Sequence, residues 1–269
     1  DYALSQHSPC GPGFPSIISA GANNFCIHYY SYTGQAHDGD MVLNDVGAQH
    51  DSLITDVSRG FPCNGRFSDR QKLLYNCALQ TSNHLFSIIR PGYSMAEVDG
   101  EIRRYNAALL MDAGVLDKAE NVGKYMWHGG AHHIGWDVHD QVEMPEILAP
   151  GMVFCVDVGI YHEQWGIGFR LEDNCLVTED GCENLSGAIP RTIEQIEKQL
   201  NKKLDVIKVK TFDEVQSISR ELMLIKVKYN KNNRRDIMET CEIMKAQIAR
   251  GADFESGNIF KRAKALVPL

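Results

Sequence analysis

The sequence predicts an α+β fold built on a mostly antiparallel sheet. Predicted strands and helices alternate along the chain, and the clearest strands come in pairs closed by short turns. The chain has 269 residues, enough for one large domain or two small ones, and it shows no internal repeat.

The elements follow in order. DMVLNDV (40–46) reads as a short apolar strand. Residues 47–51 are a turn, and SLITDVSR (52–59) alternates as the second arm of a hairpin. FPCNGRFSD is a loop with an Asn-Gly turn. Residues 67–90 form a helix, with Leu73, Leu74, Cys77, Leu79 and Phe86 on its apolar face and Ser68 with Gln71 as a capping box. Pro91-Gly92 stops it. Ser94 to Ala113 form a second helix, with Met95, Val98, Ile102, Tyr105 and Leu109 on one side. After a turn at Pro150-Gly151, MVFCVDVGIY (152–161) and IGFRLEDNCLVT (167–178) are strong strands. Ile193, Ile196 and Leu200 fall at helical spacing. LDVIKVK (204–210) and ELMLIKVK (221–228) are strands, and Ile237, Cys241, Met244 and Ile248 line a last helix.

Composition narrows the function classes. With 43% hydrophobic and 23% charged residues, the chain reads as a soluble globular protein. No apolar run approaches the ~20 residues of a membrane span, so no membrane partner is expected. The opening DYALSQHSPCGPGFPS has no basic stretch followed by an apolar core, so it does not read as a secretory signal. The eight cysteines include no C-x-x-C pair, and free thiols in a cytoplasmic protein are expected. Cys26, Cys77, Cys155 and Cys241 have apolar neighbours and read as small core residues. Residues 1–190 hold 10 Lys+Arg against 24 Asp+Glu, whereas residues 191–269 hold 17 against 11. That change of sign places a domain boundary near residue 190, between a domain 1–190 and a basic tail 191–269. The tail lacks interleaved aromatics, so its lysines read as solvated faces and no nucleic-acid partner is expected.

One stretch is dense in chemistry. HGGAHHIGWDVHD (128–140) holds four histidines in thirteen positions, with glycines that make a poor helix. It is either part of a metal site or a chance cluster in a loop. Four carboxylates bear on the choice: Asp45 and Asp56 on the arms of the predicted hairpin, and Asp157 and Glu172 inside the two strong strands. A carboxylate in a strand ordinarily faces solvent. If all four converged on one of these histidines, their mutual repulsion would call for about two divalent cations. A set rich in carboxylate oxygens with one imidazole suits Mn²⁺, Fe²⁺, Co²⁺ or Zn²⁺. Paired metals polarise a carbonyl and activate a bridging water, which is hydrolytic chemistry.

Five ordered motifs in residues ~14–190 carry a resemblance. FPSIISAGANNFCIHY looks like a first strand with a substrate histidine. NDVGAQHDSLITDVSRGFPCNGRF is close to D-x-G, D-x-(T/S)-R-x-(F)-P and N-G-x-F. HGGAHHIGWDVHD resembles H-G-x-x-H-x-(L/I)-G-x-D-x-H-D. APGMVFCVDVGIY resembles P-G-M-V-x-T-x-E-P-G-(I/L)-Y, and GIGFRLEDNCLVTEDGCENLS resembles G-(I/V)-R-x-E-D-D-x-x-V-T-x-x-G-x-E-N-L. Together they resemble the pita-bread metallopeptidases: aminopeptidase P, prolidase, methionine aminopeptidase and their metal-free relative creatinase.

The resemblance implies a pita-bread fold, with a curved, mostly antiparallel sheet and flanking helices. It implies two divalent metal ions, Mn first among them with Co, Zn and Fe as alternatives. Their ligands would be Asp45, Asp56, His132, Asp157 and Glu172. His128 and His139 would line the substrate pocket, and His28 would be a proton shuttle or substrate contact. Arg170 would orient a ligand carboxylate, and Tyr161 would sit near the substrate. His133 has no matching role. His50, His84 and His162 are expected at the surface. The implied activity is that of an Xaa-Pro aminopeptidase: a metal-bridging water attacks the amide before a proline in second position, with Asp157 as base. A homodimer is a candidate assembly. Asp157-Val158 stands where the peptidases carry Glu-Pro, and family members usually have an N-terminal domain ahead of the point where this chain begins. The alternatives are a creatinase-like small-amide hydrolase and a catalytically inactive pita-bread binding protein.

The tail resembles something else. RTIEQIEKQLNKKLDVIKV and SRELMLIKVKYNKNNRRDIMETCEIMKAQI are similar to part of the acetolactate synthase regulatory subunit, from the end of one ACT domain to the start of the next. The strands and glycine turn of an effector pocket are missing, so the resemblance implies a partial ACT-like α/β tail without amino-acid sensing. A regulatory module for acetolactate synthase is the function this tail alone would imply.

Overall fold

The structure is a computed structural model. It describes residues 10–143 and 146–201, and beyond them 206–210, 224–228, 235, 248–249 and 258–261. The chain divides into two compact units, residues 1–198 and 199–269.

In the first unit, strand β1 (Ile17–Ala20) pairs antiparallel with β2 (Met41–Val46). The expected second arm, 52–59, is broken in two. β3 (Gln49–His50) and β4 (Leu53–Ile54) form a small hairpin of their own, and the true partner of β2 is β5 (Val57–Pro62). Asp51 and Ser52 both take positive φ (47° and 69°), the left-handed pair that a two-residue hairpin turn requires. Gly47 sits where a Cβ would come within 1.9 Å of the Thr55 carbonyl oxygen, so only glycine lets the chain close there. As a result, Asp45 lies in β2 opposite Ser58, while Asp56 stands just ahead of β5 rather than within a strand.

Two helices follow. α1 (Asp69–Ile88) starts on the expected capping box, Ser68 with Gln71, and α2 (Met95–Asp112) starts on another, Ser94 with Glu97. The buried stripe of α1 runs through Leu74, Tyr75, Cys77, Ala78 and Leu85, with the expected Leu73, Leu79 and Phe86 only partly covered. In α2, Met95, Val98 and Ile102 are buried, and Leu110 completes the face.

The second sheet has the order β6 (Ala131–His133), β7 (Val153–His162), β8 (Ile167–Val177), β9 (Cys182–Asn184), every pairing antiparallel. β7 and β8 are buried on both faces. On one, Phe154, Val156, Val158, Ile160, Phe169 and Leu171 join the core with Leu74, Tyr75, Val98 and Ile102 of the helices. Side chains of this size contribute roughly 1.5–3 kcal/mol each when fully buried. Helix α3 (Ile193–Leu200) adds Ile193 and Ile196 to the same core.

Some placements differ from expectation. Cys26 is exposed because it follows the short helical turn Gly21–Phe25 instead of entering the core. His162 is buried, stacked at 4.0 Å on Trp165. His84 is half-buried against Tyr105, with Nε2 2.6 Å from Glu101. His50 is exposed. All cysteines among the described residues are free. No helix among the described residues is long and apolar enough to cross a membrane.

In the second unit, β10 (Val206–Lys210), β11 (Leu224–Lys228), β12 (Ile248–Ala249) and β13 (Asn258–Lys261) form an antiparallel sheet in the order β10-β11-β13-β12. The two strands expected there lie within their predicted ranges. Of the predicted last helix, Ile237, Cys241 and Met244 lie outside the described residues, and Ile248 falls in β12 instead. A two-residue strand pairing with β13 overrides the apolar helical spacing at that position.

Candidate metal centre

In an antiparallel ladder, residues directly opposite share a face and alternate residues change face. The register of β7 and β8 sets Cys155 opposite Asn174, Asp157 opposite Glu172, and Gly159 opposite Arg170. β6 adds His132 opposite Cys155. The face turned away from the helices therefore carries His132, Cys155, Asp157, Arg170, Glu172 and Asn174. Asp45, Asp56 and Ser58 meet them from the other sheet: Ser58 donates to Glu172 at 2.9 Å, and Arg170 donates to Asp45 at 2.6 Å.

The five expected ligand residues converge. His132 Nε2 is 3.0 Å from Glu172 Oε1 and 3.9 Å from Asp56 Oδ2. Asp45, Asp56, Asp157 and Glu172 are all buried. Burial and the charge of Glu172 push Asp56 up to about 12. The same two causes raise Asp45 and Asp157. Burial alone would raise Glu172, but the hydrogen bond and charge of His132 win and hold it at about 2. Burial would also lower His132, but Glu172 outweighs it and lifts His132 to about 9.

Those shifts describe a centre short of positive charge. Asp45 Oδ1, Asp56 Oδ1 and Asp157 Oδ1 are buried without a hydrogen-bond partner. An unpaired buried acceptor is costly, and a cation repays that cost. The donor set thus fits divalent metal. The imidazole of His132 is also oriented for it. Its Nδ1 faces the His133 carbonyl at 3.3 Å, which can only accept, so Nδ1 keeps its proton and a metal would displace the one on Nε2.

The expected substrate residues surround this centre. His128 Nδ1 lies 2.7 Å from the Gly129 carbonyl, so it too is the protonated nitrogen. Nε2 then accepts from the Tyr161 hydroxyl at 3.1 Å. Burial lowers His128 to about 4. Its Nδ1 is also 3.4 Å from Asp157 Oδ2. Gly159 makes the approach of His128 possible, since a Cβ there would stand 2.2 Å from His128 Nε2. The His139 ring is 4.6 Å from His132 and 6.1 Å from His28. His133 turns from the site toward Glu146, 3.5 Å away, and packs on Phe154.

Sequence reasoning missed several members. Asn174 accepts from the Asp56 backbone and donates to its carbonyl, fixing that carboxylate's stem. Arg59 donates to the Glu172 carbonyl at 2.6 Å and pairs with buried Asp173 at 2.7 Å. Cys155 is buried, as expected, and its sulfur also belongs with Asp56, His132 and Glu172 in a group of donors all within 4.8 Å of one another. Its distance from Asp157, two residues along one strand, was the available signal.

Comparison with known proteins gives the family. The sequence profile of metallopeptidase family M24 matches residues 1–179. The chain belongs to metallopeptidase family M24. Among its M24 relatives, the Xaa-Pro aminopeptidase of Escherichia coli (strain K12) is 34% identical over 215 residues, covering 73% of this chain and 49% of that protein. The mitochondrial intermediate cleaving peptidase 55 of Arabidopsis thaliana is 32% identical, over 70% of this chain and 40% of that protein. Aminopeptidase PepP of Pseudomonas aeruginosa superposes with a TM-score of 0.71 at 33% identity, covering 75% of this chain and 50% of that one. Zinc-substituted Escherichia coli aminopeptidase P in complex with product gives 0.68 at 32%, covering 73% and 49%. The fold is thus the pita-bread fold of this M24 group, and the chain spans about half the length of the curated relatives it matches. A profile of the small subunit of acetolactate synthase matches residues 220–252.

Proposed function

We propose that the protein is a dinuclear metal-dependent peptidase that removes the N-terminal residue of a peptide with proline in second position. The observation that supports it best is the convergence of Asp45, Asp56, His132, Asp157 and Glu172, with three buried carboxylate oxygens left without partners. Two divalent cations, Mn²⁺ foremost, would be held by those five residues and supply a Lewis acid for the scissile carbonyl and a nucleophile from water at neutral pH.

The chain's own residues do the rest. Asp157 takes the proton of the attacking water, and burial already gives its carboxyl a raised proton affinity. His128, neutral near pH 7 and locked by Gly129 and Tyr161, presents a fixed ring to the substrate. His28 and His139 stand beside each other next to His132 and hold the peptide. Arg170 fixes one oxygen of Asp45 and leaves the other for metal. On this reading the first unit, residues 1–198, forms a cytoplasmic hydrolase domain and takes in the start of the expected tail, and the second unit contributes no donor.

The test is hydrolysis of paired peptides, Xaa-Pro-Yaa and Xaa-Ala-Yaa, with Mn²⁺ supplied. Selective release of Xaa from the proline peptide is expected. Equal cleavage of both would remove the proline specificity, and cleavage of neither would remove the activity. One feature favours a second reading: Asp157 is a methylene shorter than the glutamate of the family pattern, as a binding protein without turnover would tolerate.

A further inference from the structure

The geometry points to Cys155 as a metal ligand: its thiolate joins His132, Asp56 and Glu172 around one of the two ions, making that subsite softer than its all-oxygen neighbour. This rests on the dinuclear reading above and adds a donor to it. Three observations carry it. The sulfur lies with the three other donor atoms in a group no wider than 4.8 Å. Zinc binds nitrogen, oxygen and sulfur at roughly 2.0–2.3 Å, so donors on one ion lie at most about 4.6 Å apart, and small side-chain movements suffice. Cys155 and His132 are register partners on adjacent strands, which fixes both on the same side of the sheet. Finally, the Asn174 amide donates to the sulfur at 3.5 Å while its oxygen and nitrogen hold the Asp56 backbone. An N–H aimed at sulfur favours an electron-rich, acceptor sulfur, as in a thiolate or a metal-bound one.

The consequence is chemical selectivity. Asp45 and Asp157 offer only oxygen to the neighbouring position, which suits Mn²⁺. A subsite with imidazole and thiolate prefers Zn²⁺ or Co²⁺. On ligation the S–H bond breaks, a metal–sulfur bond forms and the proton leaves to solvent.

The experiment is titration of the metal-free full chain with Co²⁺, followed by absorption and X-ray absorption spectroscopy. Thiolate ligation predicts a sulfur-to-cobalt charge-transfer band in the near ultraviolet and one sulfur in the cobalt coordination sphere at about 2.3 Å. C155S should lose the band, and C182S should keep it. In competition, C155S should also lose its preference for Zn²⁺ over Mn²⁺ by about tenfold or more, the effect of a lost ligand interaction. If C155S does not fold, the sulfur signal of the wild-type chain decides alone. Cobalt bound at two equivalents without sulfur overturns the thiolate and leaves the peptidase reading standing. No cobalt bound overturns both.

Discussion

The two faces of the β7–β8 hairpin are built from alternate residues of the same strands, and both are buried. One carries Phe154, Val156, Val158, Phe169 and Leu171 against α1 and α2. The other carries Cys155, Asp157, Arg170, Glu172 and Asn174 against Asp45, Asp56 and His132. The helix-facing side is satisfied by packing and by the ion pairs of Arg59 and Arg191 with its buried Asp173. The opposite side is over-supplied with carboxylate and leaves oxygens unpartnered. Burial therefore stabilises one face and strains the other, and the strained face is where we propose that metal binds.

The comparison can be broken most severely at its imidazole. His132→Ala should lose at least one metal and reduce hydrolysis to background, whereas His133→Ala, one residue along and turned to the other side, should leave the metal content unchanged. Metal analysis with a peptide assay checks both, and equal loss in the two variants would mean that the face assignment is wrong.

Asp157→Asn comes next. It removes charge without changing volume, so metal affinity should drop and turnover fall by roughly 10²–10⁴. Asp157→Glu adds a methylene to a packed site, a change that commonly costs ~1–3 kcal/mol, and should be tolerated without gain. Steady-state kinetics of the three proteins side by side decide it, and an active Asn variant would defeat the base assignment.

The packed face should respond in the opposite currency. Phe169→Ala, which opens a cavity beside Tyr75, should cost ~3–5 kcal/mol in denaturant unfolding while the folded fraction keeps its metal. Loss of metal from a folded variant would show that the faces are not independent.

The smallest effect concerns pH. Asp45, Asp56 and Asp157 hold protons above their ordinary value of 3.8, so the metal-free native state binds more protons than the unfolded chain. His132 adds to this up to about pH 9, and depressed Glu172 works the other way only below its ordinary value of 4.5. Burial lowers His128, His133, His139 and His162, which works the other way below their ordinary value of 6.5, so the stability of the metal-free protein should fall as pH rises from 6.5 to 9. Bound metal replaces those protons, so its stabilising effect should grow over the same range. Thermal melts with and without Mn²⁺ read this, and a metal-free protein that gains stability across that range would contradict it.

The packed face was nearly all legible in the sequence, because long apolar strands and capped helices announce themselves. The carboxylates were legible because Asp157 and Glu172 interrupt such strands. What escaped was set by tertiary contact. Cys155 in an apolar run is indistinguishable from a core thiol until its register with His132 is known. Asn174 acts through the backbone of Asp56, more than a hundred residues away. The broken hairpin arm depends on the close approach of Gly47 to Thr55, which periodicity does not encode. His162 looked polar and is buried because Trp165 covers it.

The central claim is that the polar face of the hairpin is a metal centre completed by cations. Metal analysis of the purified full chain after equilibration with Mn²⁺ tests it most directly. Two equivalents per folded chain, falling to one or none in His132→Ala, is the result the account predicts. A folded wild-type chain that retains no metal would contradict it.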